Sequence, residues 1–319
     1  SSSFTFEKGH GVWPEPGDDF YVTQWTKKGW VRGQGVFNSE SPRFDRDFSQ
    51  AVSGMQVPLI THEIGQYAVY PNLAEIPKYT GVLEPLNFKA VENDLKAKGL
   101  LQKAPAYTEA SGRLAAILYK EEIERALKTE GISGFQLLDL HDFPGQGTAL
   151  VGVLDPFWDS KGLVTPDEWR AFCAPTVALL RYPKSAWFDD ETFTAKAEVY
   201  NFGAAALKNA KIRWSLTDGS GKTLAKGSLK SQTIGIDGVF PAGEFSIPLD
   251  KVQGPQKLTV HLNVGEKTSN SWDIWVYPRN PSLMQSDGEV LYTKEFGEQA
   301  RQHLKQGKTV VLTPALNKV

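Results

Sequence analysis

A single carboxylate, Glu63, lies where a predicted strand runs into a glycine turn. Residues 57–61 are mostly apolar or β-branched and are too few for a helix, and Gly65 then allows the backbone to turn sharply. Glu63 is therefore expected at the C-terminal end of a short buried strand. Enzymes with repeated strand–helix units keep their catalytic groups at that end of the strands. Glu63 is thus a candidate catalytic carboxylate.

A second segment repeats this arrangement further along the chain. Residues 134–147 form an apolar run that ends in Asp139, Asp142 and several glycines. Helical spacing covers residues 85–101 and 107–129 between the two predicted strands. A strand, a helical layer and another strand predict a βαβ unit of a parallel sheet.

Aromatic and acidic side chains in non-periodic segments are further candidates for ligand contact. The first 56 residues are rich in Gly and Pro, and so long a loop in a compact domain is usually functional. The contact candidates are Trp13, Asp18, Asp19 and Trp158, together with His62 and Gln66 beside Glu63. A structural reading stays open for each, since an Asp pair favours a turn and a Trp can fix a loop to the core.

Three segments resemble glycoside hydrolase family two, whose members are retaining exo-β-glycosidases such as β-galactosidases, β-glucuronidases and β-mannosidases. They are T-H-E-I-G-Q-Y (61–67), A-S-G-R-L-A-A-I-L-Y-K-E-E-I-E-R-A-L (110–127) and G-F-Q-L-L-D-L-H-D-F-P-G-Q-G (134–147). The first and last are similar to the seventh and eighth barrel strands of that family. The resemblance spans roughly residues 1–280 and is specific mainly in these motifs.

The resemblance implies a role for each motif residue. Glu63 would be the nucleophile of a polysaccharide-degrading enzyme, with an oligosaccharide or glycoside as substrate and no cofactor or metal. Gln136, Asp139 and Asp142 would lie near the sugar, with Asp142 at the rim and Asp139 deeper. Glu63 is expected to be hydrogen-bonded near Tyr, Asn or Gln side chains.

One family feature is missing from the chain. The family places its general acid/base in an Asn-Glu dipeptide, and no such dipeptide occurs among the 319 residues. Retaining hydrolysis needs two carboxyl groups about 5–5.5 Å apart. The expectation is that residues 1–182 are the C-terminal half of a (β/α)₈ TIM barrel, completed by an N-terminal barrel segment of a longer parent protein. Such a chain alone would not hydrolyse glycosides. A periplasmic or secreted bacterial location is expected, with any signal peptide outside this chain.

The remaining sequence predicts two further domains. Short alternating strands with turn signals indicate an all-β immunoglobulin-like sandwich over residues 183–279. A strand–helix–strand pattern over 280–319 predicts the beginning of a further α/β domain. The predicted fold is therefore multidomain: a partial TIM barrel, a sandwich and the start of an α/β domain.

Composition limits the alternatives. A formal net charge of −2 without a long basic block argues against nucleic acid as a partner, and no apolar run is long enough for a membrane. Cys173 is expected to be a packed thiol.

His62-Glu63 begins a zinc-protease motif, but Gln66 stands where its second His is needed. Two other readings remain: Glu63 as a structural carboxylate, and the chain as a non-catalytic carbohydrate-binding or scaffold protein.

Overall fold

A computed structural model describes residues 2–5, 13–37, 43–279 and 286–314. Its first part, here called the parallel-sheet region, runs from the first strand to the fifth helix. The strands are β1 (Ser2–Thr5), β2 (Phe20–Thr23), β3 (Trp25–Thr26), β4 (Gly29–Trp30), β5 (Leu59–Ile64) and β6 (Ile132–Leu137). The helices are α1 (Gly33–Phe37), α2 (Ser49–Val52), α3 (Leu86–Ala97), α4 (Ala104–Leu127) and α5 (Pro166–Phe172), with 3₁₀ turns at Leu73–Lys78 and Leu101–Lys103.

The main sheet of this region is parallel throughout. Its order is β1-β2-β5-β6, and the register pairs Tyr21 with Leu59 and Thr61 with Phe135. Strands β3 and β4 form a separate antiparallel ribbon directly after β2. Parallel neighbours need a crossover, and α3 and α4 supply the crossover between β5 and β6 as the helical spacing predicts.

The helices follow from sequence signals of two kinds. Long helix α4 places Ala115, Tyr119 and Ile123 on one buried face, at three- to four-residue spacing. Short helix α5 begins with a capping box, in which the Thr165 hydroxyl accepts from the Glu168 amide and the Glu168 carboxylate accepts from the Thr165 amide.

The predicted partial TIM barrel is wrong. In the described part of the chain the parallel sheet has four strands and two separate edges, β1 and β6, so it is an open sheet. A closed barrel needs about eight strands, each followed by a helix of the outer ring. Between β2 and β5 the chain instead forms the β3–β4 ribbon and two helices of five and four residues. Most of the regular structure elsewhere is antiparallel sheet.

The second part, called the sandwich, has two antiparallel layers around one apolar core. Its strands are β7 (Thr176–Arg181), β8 (Ala186–Phe188), β9 (Thr192–Asn201), β10 (Leu207–Asp218), β11 (Thr223–Ile234), β12 (Gly238–Pro248), β13 (Gln256–Val264) and β14 (Thr268–Tyr277). They form the sheets β11-β10-β13-β14-β8 and β12-β9-β7, in which β8 joins β14 in parallel. Alternate residues of β9 and β13 are buried, which is the period-two pattern of half-buried strands. The β-part is therefore consistent with the predicted immunoglobulin-like sandwich.

The sandwich begins before the predicted boundary and is followed by a further unit. Strand β7 precedes the predicted boundary at 182/183 but pairs with β9 inside the sandwich. Beyond the sandwich, β15 (Val290–Thr293), α6 (Glu298–Lys305) and β16 (Thr309–Leu312) form a parallel βαβ unit. Residues 280–285, at the start of this predicted domain, lie outside the described residues. Among the described helices, none has the length and apolar character to cross a membrane.

A buried charge network joins the two parts. The Glu124 carboxylate on α4 accepts from Asn270 Nδ2 at 2.9 Å and from Trp272 Nε1 at 3.0 Å, both on β14. Lys120 and Lys128, one helical turn to either side, pair with the same carboxylate. Burial would raise the pKa of Glu124, but the two positive charges hold it below its usual range.

Candidate carboxylate site at the end of the parallel sheet

Glu63 lies at a β-bulge near the C-terminal end of β5. The register pairs Thr61 with Phe135 and Ile64 with Leu137, so β5 has one more residue than β6 over this interval. Glu63 has a φ of 54°, and Gly65 follows at 85°. A side chain at Gly65 would meet the Tyr119 ring at 2.0 Å, so only glycine fits there. Bulges next to active sites re-aim side chains, and this one turns Glu63 out of the regular alternation.

The Glu63 carboxylate is held from the β2–β4 side of the sheet. Gln24 Nε2 donates to Glu63 Oε2 at 2.5 Å, and Arg32 Nη1 lies 3.6 Å from the same oxygen. The Glu63 side chain is 26% exposed, whereas that of Arg32 is 4% exposed. The sheet thus presents a half-buried carboxylate next to a buried guanidinium. Gln24 provides the amide partner that the sequence predicts for Glu63.

The ribbon that follows β2 positions Gln24 and Arg32. Val31 N donates to the Gln24 carbonyl at 3.0 Å, and the Thr61 hydroxyl of β5 donates to the Val31 carbonyl. Trp25 and Trp30 are paired across the ribbon with ring centroids 4.4 Å apart, and Trp30 is 38% exposed. These contacts fix the ribbon against β5 and leave one aromatic face at the surface.

A second carboxylate, Glu122 on α4, lies behind Glu63 and is fully buried. Its Oε1 accepts from Gly33 N, and its Oε2 accepts from Gly65 N at 2.9 Å and from the Tyr67 hydroxyl at 2.7 Å. Burial raises the pKa of Glu122, although these hydrogen bonds and the charge of Arg32 oppose the rise. Burial and the Glu122 charge raise the pKa of Tyr67 above its usual range, so its hydroxyl stays a donor.

His62 and Gln136 extend the site toward β6. His62 Nδ1 lies 2.5 Å from Gln136 Oε1, and His62 Nε2 lies 3.5 Å from Glu63 Oε1. A ring nitrogen within this distance of an amide oxygen must be the protonated one. Gln66 is half-buried just beyond the Gly65 turn. The structure therefore gathers His62, Glu63, Gln24, Arg32 and Gln136 at one end of the sheet.

Asp139 and Asp142 are not placed as the sequence predicts. Asp142 is 1% exposed, accepts from Gly152 N at 2.9 Å and pairs with Lys161, so its predicted position at the rim is wrong. Its charge is compensated by the Lys161 ammonium, which explains how a carboxylate is tolerated there. Asp139 is half-buried and accepts from the Leu140 amide at 2.6 Å.

The loop candidates lie in separate surroundings. Trp13 packs under Lys27 Nζ at 4.3 Å from its ring centroid, a cation–π contact. Asp18 accepts from Glu15 N at 2.8 Å in a local turn, and Asp19 is exposed beside it. Trp158 is 61% exposed and stacks at a tilt on His141 with centroids 4.8 Å apart. None of these described contacts includes Glu63, and their predicted role in substrate contact stays a prediction.

Possible metal ligands are His, Cys, Asp and Glu side chains that lie close together. In the part of the chain that the structure describes, no group of three or more of these side chains is arranged to hold a metal ion. The Cys173 thiol is half-buried at the end of α5, and burial raises its pKa. The chemistry that this site can supply is that of a carboxylate with amide, guanidinium and imidazole neighbours.

Four residues of the site escaped sequence reasoning: Gln24, Arg32, Tyr67 and Glu122. For Glu122 a signal was available, because it lies three residues after Tyr119 and four before Ala126, within the apolar stripe of α4. A carboxylate in such a stripe must have buried partners. Gln24 and Arg32 carry no comparable signal, since the ribbon that positions them is only two residues wide on each side.

Comparison with known proteins gives a family match for one segment and fold-level likenesses. A family model described as a domain of unknown function (DUF8488) matches residues 191–278, within the sandwich. No curated protein matches the chain. The structure resembles the CARDB domain of the PF1109 protein from Pyrococcus furiosus, solved in complex with di-metal ions. Sequence identity is 12% over 33% of this chain and 94% of that domain, with a TM-score of 0.26.

Two larger proteins contain a similar part. Salmonella α2-macroglobulin reacted with methylamine shares 15% identity over 38% of this chain and 8% of its own, with a TM-score of 0.28. The β-glucuronidase of Parabacteroides merdae shares 14% identity over 32% of this chain and 14% of its own, with a TM-score of 0.24. The similar structures thus include a glycosidase and a CARDB domain, each at low coverage, and identities this low carry no functional argument.

Proposed function

We propose that the chain is part of a retaining exo-β-glycosidase, of the β-galactosidase-like kind, in which Glu63 is the nucleophile. The observation that carries the proposal is the position of the Glu63 carboxylate. It stands on a bulge with a positive φ of 54°, at the C-terminal end of a parallel strand, half-exposed beside a buried arginine. Backbone strain of about 1–3 kcal/mol at a non-glycine residue persists where the surroundings impose it, and such positions cluster at active sites.

The contacts of Glu63 suit nucleophilic attack on an anomeric carbon. Gln24 Nε2 and Arg32 Nη1 both approach Oε2, which orients the carboxylate. Glu63 Oε1 lies 3.5 Å from His62 Nε2, and we assign it to the attack. The bond from Oε1 to the anomeric carbon would form as the bond to the leaving group breaks, and the leaving group departs with the electron pair. Water then hydrolyses the glycosyl ester.

Polar groups beside the carboxylate offer hydrogen bonds that a sugar uses. His62 and Gln136 provide polar hydrogens and oxygens on the β6 side. A small number of convergent polar groups is typical of a small-molecule site. Protonation of a glycosidic oxygen needs a second carboxyl group, to which we assign no residue.

Covalent trapping tests the proposal without that second group. A 2-deoxy-2-fluoroglycosyl fluoride loses fluoride without protonation, so a nucleophile alone suffices to form the adduct. The protein is incubated with the β-galactosyl, β-glucuronyl and β-mannosyl reagents, digested, and sequenced by mass spectrometry. The expected result is one adduct, on the peptide that contains Glu63, from at least one reagent. Glu63→Gln should abolish it, and Glu84→Gln, which changes an exposed glutamate, should not.

Two outcomes would contradict the proposal. An adduct on a different carboxylate would move the nucleophile elsewhere. The absence of any adduct, together with measurable binding of the corresponding free sugars by calorimetry, would favour the non-catalytic carbohydrate-binding alternative. The absence of both adduct and binding would leave Glu63 as a structural carboxylate at a strand end.

A further inference from the structure

The buried guanidinium of Arg32 lies close to Glu63, and the residue after it is hydrogen-bonded to a second carboxylate. Arg32 Nη1 lies 3.6 Å from Glu63 Oε2, and Gly33 N donates to Glu122 Oε1. Burial lowers the pKa of Arg32, and the charges of Glu122 and then Glu63 oppose this. A guanidinium so deeply buried is tolerated only when its charge is compensated. Glu63 and Glu122 share that compensation.

Glu122 also connects the two backbone segments that carry the site. Through Gly33 N it contacts the residue after Arg32, and through Gly65 N it contacts the turn that follows Glu63. All three described partners donate, which is the arrangement of an ionised acceptor. A Cβ at Gly33 would lie 2.2 Å from the Tyr67 hydroxyl and 2.9 Å from Glu122 Cδ, so the contact is closed to any bulkier residue.

The reaction assigned to Glu63 changes this balance of charge. When Glu63 becomes a glycosyl ester it loses its negative charge, and Arg32 keeps its positive charge. With Glu122 in place, one carboxylate still compensates the buried guanidinium. Without it, formation of the ester would leave Arg32 buried and unpaired, which costs far more than breaking a surface ion pair.

We propose that Glu122 is a positioning residue for the proposed nucleophile: it holds the Gly33 and Gly65 backbone in place and keeps Arg32 paired while Glu63 is esterified. This inference rests on the proposed function, because it assigns a chemical step to Glu63. Among the described residues, the charged or titratable groups near Glu122 and Glu63 are Arg32 and Tyr67, His62 beside Glu63, and Glu121 on α4. Glu122 itself never contacts the sugar.

The test uses Glu122→Gln, which keeps the shape of the side chain and removes its charge. The rate constant of trapping by the 2-fluoroglycosyl fluoride should fall about tenfold to a hundredfold, the usual size of a positioning effect. The acid limb of the rate–pH profile should move to lower pH, because Arg32 then interacts with Glu63 alone. Glu122→Asp, which restores the charge, should recover part of the rate and return the acid limb toward its original pH.

A control variant separates this role from a general loss of packing. Glu121→Gln changes the neighbouring buried carboxylate, which pairs with Arg125 at 2.6 Å. It should lower stability and move the acid limb less than Glu122→Gln does, because its described hydrogen bonds go to Arg125 and not to Gly33, Gly65 or Tyr67. An acid limb at the same pH in wild-type protein and in Glu122→Gln would overturn the inference, whatever happens to the rate or the melting temperature.

A second measurement keeps this inference distinct from the proposed function. The carboxyl carbon of Glu63 is followed by ¹³C NMR across pH in wild-type protein and in Glu122→Gln, without any substrate. The titration midpoint of Glu63 should fall in the variant. If it falls but no adduct forms in wild-type protein, the charge coupling stands and the glycosidase assignment fails. If it does not move while wild-type Glu63 is labelled, the assignment stands and this inference fails.

Discussion

The sandwich and helix α4 bury side chains of opposite character. The sandwich core consists of aliphatic and aromatic residues from both sheets, such as Phe193, Leu258 and Leu262, each 0% exposed. The last turns of α4 and the residue that follows it instead bury Glu121, Glu122, Glu124, Arg125 and Lys128. Burial of apolar side chains stabilises the sandwich by itself, whereas the end of α4 is stable only if each buried charge has a partner.

The contrast in buried charge indicates where function lies in the molecule. The sandwich also has register shifts on β10 and β12 and positive φ at Asn209 and Asp237, but its core is apolar. The parallel-sheet region combines a bulge and a non-glycine residue at positive φ with carboxylates in an apolar stripe, where buried positions are expected to be apolar. Proteins break such rules mainly at functional sites.

Removal of the charge that joins the two regions should have the largest effect on stability. Glu124→Ala leaves Lys120, Lys128 and the Trp272 indole hydrogen without their buried acceptor. We expect a loss of about 3–5 kcal/mol in the free energy of unfolding, typical for one partner of a buried ion pair. Urea unfolding by fluorescence and by circular dichroism measures this loss. Glu109→Ala, an exposed helix pair with Arg113, is the matched control and should change little.

A cavity in the sandwich should cost somewhat less. Leu262→Ala removes a fully buried side chain from β13, and large-to-small changes in a core cost about 2–5 kcal/mol. The same urea experiment applies, with Leu224→Ala on β11 as the 40% exposed control. Equal losses in both leucine variants would mean that the sandwich does not have the packed core described above.

Buried carboxylate Glu75 should make stability depend on pH. Burial, and then the charges of Asp142 and Asp155, raise the pKa of Glu75 to about 7. Since the folded pKa lies above that of the unfolded chain, stability is full below about pH 4.5 and is lost as pH rises through about 7. At pH 8, Glu75→Gln should be about 1–3 kcal/mol more stable than wild-type protein, with no such gain at pH 4.5. A constant difference across this range would contradict the prediction.

The smallest effect is expected at the capping box of α5. Thr165→Ala removes the oxygen that accepts from the Glu168 amide, which costs about 1 kcal/mol at a helix N-terminus. Thr165→Ser retains the acceptor and should stay close to wild-type stability. Thermal unfolding of the two variants measures the difference. If serine is as damaging as alanine, packing of the threonine methyl group rather than the cap is the cause.

Local elements were largely predictable from the sequence, while their assembly was not. Alternation over residues 183–279 predicted the sandwich that contains β9, β13 and β14, and helical spacing over 107–129 predicted most of α4. The barrel was wrongly inferred because a βαβ unit is common to open and closed parallel sheets, and closure depends on strand number rather than on any one motif.

The candidate site was predictable only at its centre. Glu63 is marked by the strand that ends in Gly65, and its position at the end of β5 follows the prediction. The bulge, and the approach of Gln24 and Arg32 to Oε2, depend on the register between strands and on a short ribbon. Asp142 was misplaced because its partner Lys161 lies 19 residues away in a loop with no periodic signal.

Chemical rescue shows whether Glu63 is the nucleophile by the anomeric configuration of the product. Glu63→Ala is incubated with a 2,4-dinitrophenyl β-glycoside, whose leaving group needs no proton, and with sodium azide in the space that the carboxylate occupied. If Glu63 is the nucleophile, azide restores turnover and the product is the α-glycosyl azide, because azide attacks from the face opposite the leaving group. Two results would contradict the assignment: a β-glycosyl azide as the product, or turnover by Glu63→Ala at the wild-type rate without azide.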